Sequence, residues 1–277
     1  MTTKTEPNVA PPTVKKLRRH WRLFAVAGLL LLLSINFLII YLNSNSFRET
    51  VRHRVIADLQ RMTGGRVELE SFTWELSTLH FEARNITIHG REAANEVPYA
   101  HADRVYVGVK IISFFTRKIS LENVTLDGFV LHLMVYPDGS TNQPSPPAGS
   151  GGAGHEEVSA KNLFDLTVKQ VAVNNGTLML NQERIPFNLS GKDISAGMNY
   201  VAAEHAYDGH LDLSPLTVTY SNAAPFPSEV HLNFLLRAKE AEIKSLKLST
   251  RNSQLEANGT LSNYTNPALA LKYQGSL

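Results

Sequence analysis

The stretch from Gly64 to Asn142 limits this chain more than any other. Apolar residues alternate with polar ones throughout it: Val67 and Leu69; Phe72, Trp74 and Leu76; Leu79 and Phe81; Ile86 and Ile88; Val105, Val107 and Val109; Ile119, Leu121, Val124 and Leu126; Phe129, Leu131, Leu133 and Val135. Successive side chains on a strand point to opposite faces, so each run makes a strand with one apolar and one polar side. Glu68, Glu70, Glu82, Arg104, Lys110, Ser120 and Glu122 supply the polar side. No helical period long enough to cover the apolar side lies between the runs. A sheet with one apolar face needs something against that face. What that something is decides what the protein does.

Within the strand units the alternation slips by one residue. Leu121-Glu122-Asn123-Val124, Val168-Lys169-Gln170-Val171 and Ile243-Lys244-Ser245-Leu246 are the three instances. An extra residue between apolar pairs is what a β-bulge needs to keep one face continuous while the strand bends. The first two instances extend into a repeat: Ile119 to Leu133 aligns with Leu166 to Leu180 at an offset of 47, with Asp127-Gly128 against Asn174-Asn175. The repeat reads as a bulged strand, a tight turn and a return strand. Pro137-Asp138-Gly139 closes a further turn, and residues 143–158 read as a flexible Gly/Pro/Ser loop. The pattern resumes over 159–277, with Leu211 and Leu213 on one strand, Leu216, Val218 and Tyr220 on the next, then Val230, Leu232, Phe234 and Leu236. No closing element follows, so the chain reads as the N-terminal part of something longer.

Ahead of the strands, residues 1–22 read as a disordered tail ending in a basic cluster, Lys15, Lys16, Arg18, Arg19 and Arg22. Residues 23–42 carry no charge. At 1.5 Å per residue they span about 30 Å, the hydrocarbon thickness of a bilayer. The apolar core of a cleaved signal is shorter, so an uncleaved anchor is the expectation. Lys and Arg are denser before the span than after it, which favours a cytoplasmic N-terminus and puts the bulk of the chain on the far side of the membrane, in a periplasm if the cell is Gram-negative. Residues 46–63 read as an amphipathic helix with the capping-box pair Ser46 and Glu49. Phe47, Val51, Val55, Leu59 and Met62 form its apolar stripe, and Arg48, Arg52, His53, Asp58 and Arg61 its polar face. Gly64 and Gly65 stop it. It either lies on the membrane surface or plugs the end of the sheet.

Chemistry is hard to find. The absence of cysteine rules out disulfides and thiolate metal sites, and a net charge of +2 gives no whole-chain reason to expect nucleic acid. The ten histidines are scattered without zinc-ligand spacing; His205 and His210, with Asp208 between them, are the nearest approach. Gly149 to Gly154 lacks the Lys-Ser/Thr of a phosphate loop, and no nucleophile elbow occurs. Neither a catalytic activity nor a cofactor is expected.

The residues do resemble a family. The anchor and helix lead into Gly65-Arg66-Val67-Glu68-Leu69 and Phe72-Thr73-Trp74; then come Leu79-His80-Phe81 and Ile86-Thr87-Ile88-His89-Gly90; then Ala102-Asp103-Arg104-Val105-Tyr106-Val107. Ile119 to Gly128 leads on to Pro137-Asp138-Gly139-Ser140-Thr141-Asn142. This order resembles the N-terminal region of the AsmA-like superfamily, inner-membrane-anchored periplasmic proteins of AsmA/TamB type. The resemblance implies a mainly β fold: an N-terminal transmembrane helix and a short amphipathic helix, then an elongated, bent antiparallel sheet forming an apolar groove for phospholipid acyl chains. On that reading the groove is lined by Val67, Leu69, Phe72, Trp74, Leu79, Phe81, Val105, Val107, Val109, Leu121, Val124, Leu126, Leu131, Leu133, Val168, Val171, Val173, Leu178, Leu180, Leu232, Phe234, Leu246 and Leu248. The implied function is phospholipid transport between inner and outer membranes, in outer-membrane biogenesis. The alternative is a TamB-type scaffold that pairs strands with an outer-membrane β-barrel protein or other client.

Overall fold

Helix α1 (Lys15–Leu42) is the first described element. A computed structural model describes residues 15–75, 77–110, 120–145, 168–264 and 266–276. The tail before residue 15, Leu76, the segment 111–119, Leu166 and most of the loop at 143–158 lie outside them. The chain divides into two compact units between Thr50 and Val51. In the first, residues 15–22 are helical where a disordered tail is expected. Lys and Arg are good helix formers, and a helix nucleated by a long apolar span extends into them at little cost. Phe24–Leu42 is long and apolar enough to cross a membrane, and the protein buries none of it.

Helix α2 (Asn45–Thr63) begins within the first unit and continues into the second. Its cap is Ser44, whose Oγ accepts from the Phe47 N–H at 3.3 Å, and not the expected Ser46. It ends where expected, at Gly64 with φ +72°, whose N–H donates to the Gln60 carbonyl. The half-buried face of its second part is Val51, Arg52, Val55, Ile56 and Leu59, while Met62 is 73% exposed. Arg52 thus leaves the expected polar face, and Met62 the expected stripe.

Twelve strands follow: β1 (Arg66–Glu75), β2 (His80–His89), β3 (Ala100–Val109), β4 (Leu121–Asp127), β5 (Val130–Val135), β6 (Gln170–Gln182), β7 (Phe187–Val201), β8 (Ala206–Tyr220), β9 (Phe226–Leu236), β10 (Glu240–Ser249), β11 (Gln254–Ser262) and β12 (Ala268–Ser276). They form one long bent sheet in the order β1-β2-β3-β4-β6-β7-β8-β9-β10-β11-β12, with β5 between β3 and β6. The outer edge of β1 is met by α2: the Arg52 guanidinium donates to the Leu69 carbonyl at 2.7 Å. That contact satisfies a backbone acceptor on an edge strand.

The sheet is mixed, because β6 runs parallel to both β4 and β5. Here the structure corrects the reading of the repeat. Val124 faces Val171, Asp127 faces Asn174, Leu131 faces Leu178 and Leu133 faces Leu180. Every such pair is offset by 47, so the two copies lie side by side in register. Neither turns back on itself. Gly128 (φ +60°) and Asn175 (φ +54°), equivalent in the repeat, are both left-handed. In place of a reversal each makes a kink, after which the strand continues. The parallel ladder runs through it, with Gly128 N–H donating to Asn174 and Thr177 N–H donating to Phe129. Asn85 in β2 and Asp193 in β7 are left-handed as well. A left-handed residue breaks the two-residue alternation, which is why the apolar positions change parity there.

Bulges do the same work elsewhere. Gly108 faces Asn123 but Val109 faces Leu121, so Glu122 is the extra residue. In β10, Ile243 faces Gly259 and Leu246 faces Ala257, with the slip between them. The third expected bulge is absent, since the β6–β7 register runs unshifted from Gln170 to Val173 and Val168 lies outside the strand. Leu211 to Tyr220, read as two strands, is a single one with a register shift between Leu213 and Leu216. At the end of β5, the fully buried Asn142 donates to the His132 carbonyl and accepts from Met134 N–H, both at 2.8 Å. Its own carbonyl accepts from Arg91 N–H, which fastens the β2–β3 loop.

The kink is open to a direct test. A Cβ on Gly128 would stand 1.9 Å from Asp103 Oδ2, whereas one on Gly139 (φ +85°) meets nothing nearer than 3.7 Å. Gly128→Ala is therefore expected to cost about 1–3 kcal/mol and Gly139→Ala about 1 kcal/mol. Urea midpoints at unchanged m-value measure the difference.

Candidate functional site: the apolar face of the sheet

Following partners from strand to strand shows what the sequence cannot. One row runs Trp74, Phe81, Val107, Val124, Val171, Met198, Gly209, Phe234, Ile243, Gly259, Leu271. Beside it runs a second: Phe72, Ala83, Val105, Leu126, Val173, Ala196, Leu211, Leu232, Leu246, Ala257, Tyr273. Direct partners share a face, so these are continuous lines on one side. Neither contains a charge, and Tyr273 and Trp74 hold their only polar atoms. Ten strand spacings of about 4.8 Å make each row about 48 Å long.

Further apolar lines flank these two. Tyr207, Leu236, Ala241, Leu261 and Leu269 lie two residues to one side, and Leu213, Val230, Leu248 and Leu255 two residues to the other. Beyond the kink, Leu131, Leu178, Gly191 and Leu216 form another line, and Leu133, Leu180, Leu189 and Val218 the next. At β7–β8 the lines on the two sides of the kink share a face. The branched end of Leu213 lies 3.2–3.4 Å from where a Gly191 Cβ would stand. Phe234 lies similarly over Gly209, its ring filling the space that a side chain there would need. Phe72 packs near Trp74 and Phe81, with ring centroids 5.8 and 6.4 Å away.

The face is not covered. Inner residues of a β-sandwich interdigitate with a second sheet and are lost to solvent. Along the two central rows only Ala83, Gly209 and Ala257 are buried; the rest are half-buried, and Leu271 and Tyr273 on the outermost strand are exposed. Among the described residues the sheet is therefore a single layer, with the partial shielding that neighbouring side chains and curvature provide. Patches of this extent on a protein surface mark an interaction site.

Most of the sequence-selected residues are brought together here. Trp74, Phe81, Val107, Val124, Val171 and Phe234 fall on the first row, and Phe72, Val105, Leu126, Val173, Leu232 and Leu246 on the second. Leu131, Leu133, Leu178, Leu180 and Leu248 fall on the flanking lines, and Val109 faces Leu121 at the end of β3. Val67 and Leu69 are buried at the edge where Arg52 meets β1. Two residues leave the set. Val168 is buried outside β6, and its carbonyl accepts the hydroxyl of the fully buried Tyr207 at 2.7 Å. Leu79 sits in the β1–β2 turn at φ +55°, its carbonyl bonded to Val109 N–H. The alternation pattern missed Ala83, Ala196, Met198 and Gly209, three of them small residues that carry little apolar signal. Only partner registers reveal them.

The opposite face is a lattice of ion pairs. Arg104 bonds Asp127 at 2.6 and 2.7 Å, Asp127 accepts from Asn174 at 2.7 Å, and Lys169 reaches Glu122 at 2.5 Å. Lys244 meets Asp208 at 2.8 Å, His231 meets Asp212 at 2.7 Å and Lys247 meets Glu256 at 3.4 Å. These pairs are largely solvent-exposed, so each contributes little alone. Their effect is to fix which face is wet. Among the described residues no three His, Asp or Glu side chains gather where a metal could bind. No family model matches the sequence, and no curated protein matches it.

The Asn174 amide, and then Arg104, hold the Asp127 carboxyl below its ordinary range. A carboxylate with a lowered folded value stabilises above its unfolded pKa of about 3.9 and loses that contribution as pH falls through the folded value. Thermal midpoints measured from pH 6 down to pH 3 are expected to fall, and Asp127→Asn to start lower and fall less. An equal slope in the variant would remove Asp127 from the acid response.

Proposed function

We propose that this protein is a bilayer-anchored lipid-handling protein that binds acyl chains along the apolar face of its sheet. The observation that carries the reading is the pair of charge-free rows crossing the sheet without a protein layer against them. Hydrocarbon tails suit such a surface because they ask for no hydrogen bonds and leave no polar group unpaired. Each methylene taken from water onto the face contributes about 0.8 kcal/mol. One leaflet's tails reach about 15 Å, half the hydrocarbon thickness of a bilayer. A row of about 48 Å thus accommodates tails in succession along the strand-to-strand direction. The apolar helix at the N-terminus supports a supply of lipid from the membrane it would cross. The resemblance to AsmA-like proteins supports a place in the Gram-negative inner membrane and a role in moving phospholipid toward the outer one.

A photoreactive residue separates this reading from a protein-covered face. With p-benzoylphenylalanine at Val171, Leu232 or Phe234 in the full chain, irradiation in cells is expected to give phospholipid adducts detectable by mass spectrometry. The same group at Asn233, exposed on the polar side between two face residues, is expected to give none. Adducts to protein alone from the face positions would replace the lipid reading with a docked partner or client strand.

A further inference from the structure

Single exposed apolar residues are ordinary on any protein surface, but their placement here is not. Leaving aside α1 and the outermost strand β12, the large hydrophobic side chains exposed among the described residues are Met62, Val97, Ile185, Tyr220 and Phe226, at 73, 45, 52, 59 and 56%. They come from four separate connections: the end of α2, the β2–β3 loop, the β6–β7 turn, and the edges of the β8–β9 turn. The registers place all four at one end of the sheet. Arg66 faces His89, so β1 starts where β2 finishes. Val135 faces Gln182, Gln182 faces Phe187, Phe187 faces Tyr220 and Val218 faces Phe226. Among the described residues of the turns at the other end, after β1, β7 and β9, no large apolar side chain is exposed.

We infer that this end of the sheet is a membrane-contacting rim that seats on the lipid surface of the bilayer holding the anchor. The five side chains are spread over the width from β1 to β9, seven strand spacings or about 34 Å. A protein partner needs a contiguous, well-packed patch, whereas a bilayer interface takes separate anchors, each gaining its own transfer free energy. The residue types fit the depth profile of an interface. Tyr220 has an apolar ring with a polar tip suited to headgroup level, and Phe226, Ile185 and Met62 are wholly apolar. Connectivity agrees, because α2 follows the apolar span after two residues and delivers the chain into this end at Gly64. Arg61 at this end is paired with Asp58 at 3.3 Å, Arg91 and Arg184 stand exposed in the same connections, and the inference rests on the apolar side chains. The inference does not depend on what occupies the apolar face, since none of the five residues lies on its central rows.

The chain has no cysteine, so single labels can be placed without background. Nitroxide is attached at Ile185→Cys, Tyr220→Cys or Phe226→Cys, and at Ala203→Cys in the exposed β7–β8 turn of the other end, in the full chain reconstituted into phosphatidylcholine vesicles. Relaxation by oxygen, which concentrates in lipid, is compared with relaxation by a water-soluble nickel chelate. The rim labels are expected to gain oxygen accessibility and lose chelate accessibility severalfold relative to Ala203→Cys. Rim labels as open to the chelate as the control would overturn the inference. So would labels shielded from both reagents, which would indicate a protein contact. Either result can coexist with lipid adducts on the face, so the two readings fail separately.

Discussion

Everything in this molecule depends on a sheet that satisfies its backbone by strand pairing while leaving one side chain layer without a protein partner. Hydrogen bonding along ten neighbouring pairings, and two more through β5, holds the strands at fixed spacing. That spacing aligns residues from distant parts of the sequence into rows. In an ordinary two-layer domain the apolar face is consumed by the core. Here, among the described residues, it remains at the surface, and strand-to-strand continuity holds the sheet together while the ion pairs fix which face is wet.

The kink follows from the same constraint. A long sheet with one apolar face must bend without letting the alternation carry polar residues onto that face. Left-handed residues at Asn85, Gly128, Asn175 and Asp193, and bulges at Glu122 and between Ile243 and Leu246, each change the parity of the strand where it bends. The Leu213 side chain over Gly191 shows that the apolar lines meet across the bend on a single side. The two ends of the sheet then differ: α2 meets the β1 edge, and the large exposed apolar side chains of the described connecting segments gather at the end where that helix enters.

Much of this was legible in the residues. Val105-Val107-Val109 and Val230-Leu232-Phe234 announce half-buried strands, and the slips at Leu121 and Ile243 announce bulges. The 47-residue repeat was visible too, but its geometry was misread. Asp127-Gly128 has the composition of a hairpin turn, and only the parallel pairing with Asn174-Asn175 shows that the strand runs on. A turn dipeptide permits a left-handed residue without dictating whether the chain reverses. Ser46 has the capping-box spacing to Glu49, yet Ser44 lies where the helix starts. Ala83, Ala196 and Gly209 of the rows are silent in the sequence, since nothing local distinguishes a small residue on an apolar face from one in a loop.

By itself the sequence determined the apolar N-terminal span, the one-faced character of the strands and some of the places where they bend. These are properties of neighbouring residues, set by side-chain periodicity and backbone preference. The tertiary structure alone decided that β6 lies parallel to β4 and β5, that among the described residues the face is a single uncovered layer, and that apolar residues on eleven strands join into unbroken rows. Register between distant strands is a non-local quantity, and an alternating pattern is equally compatible with a closed sandwich and an open face.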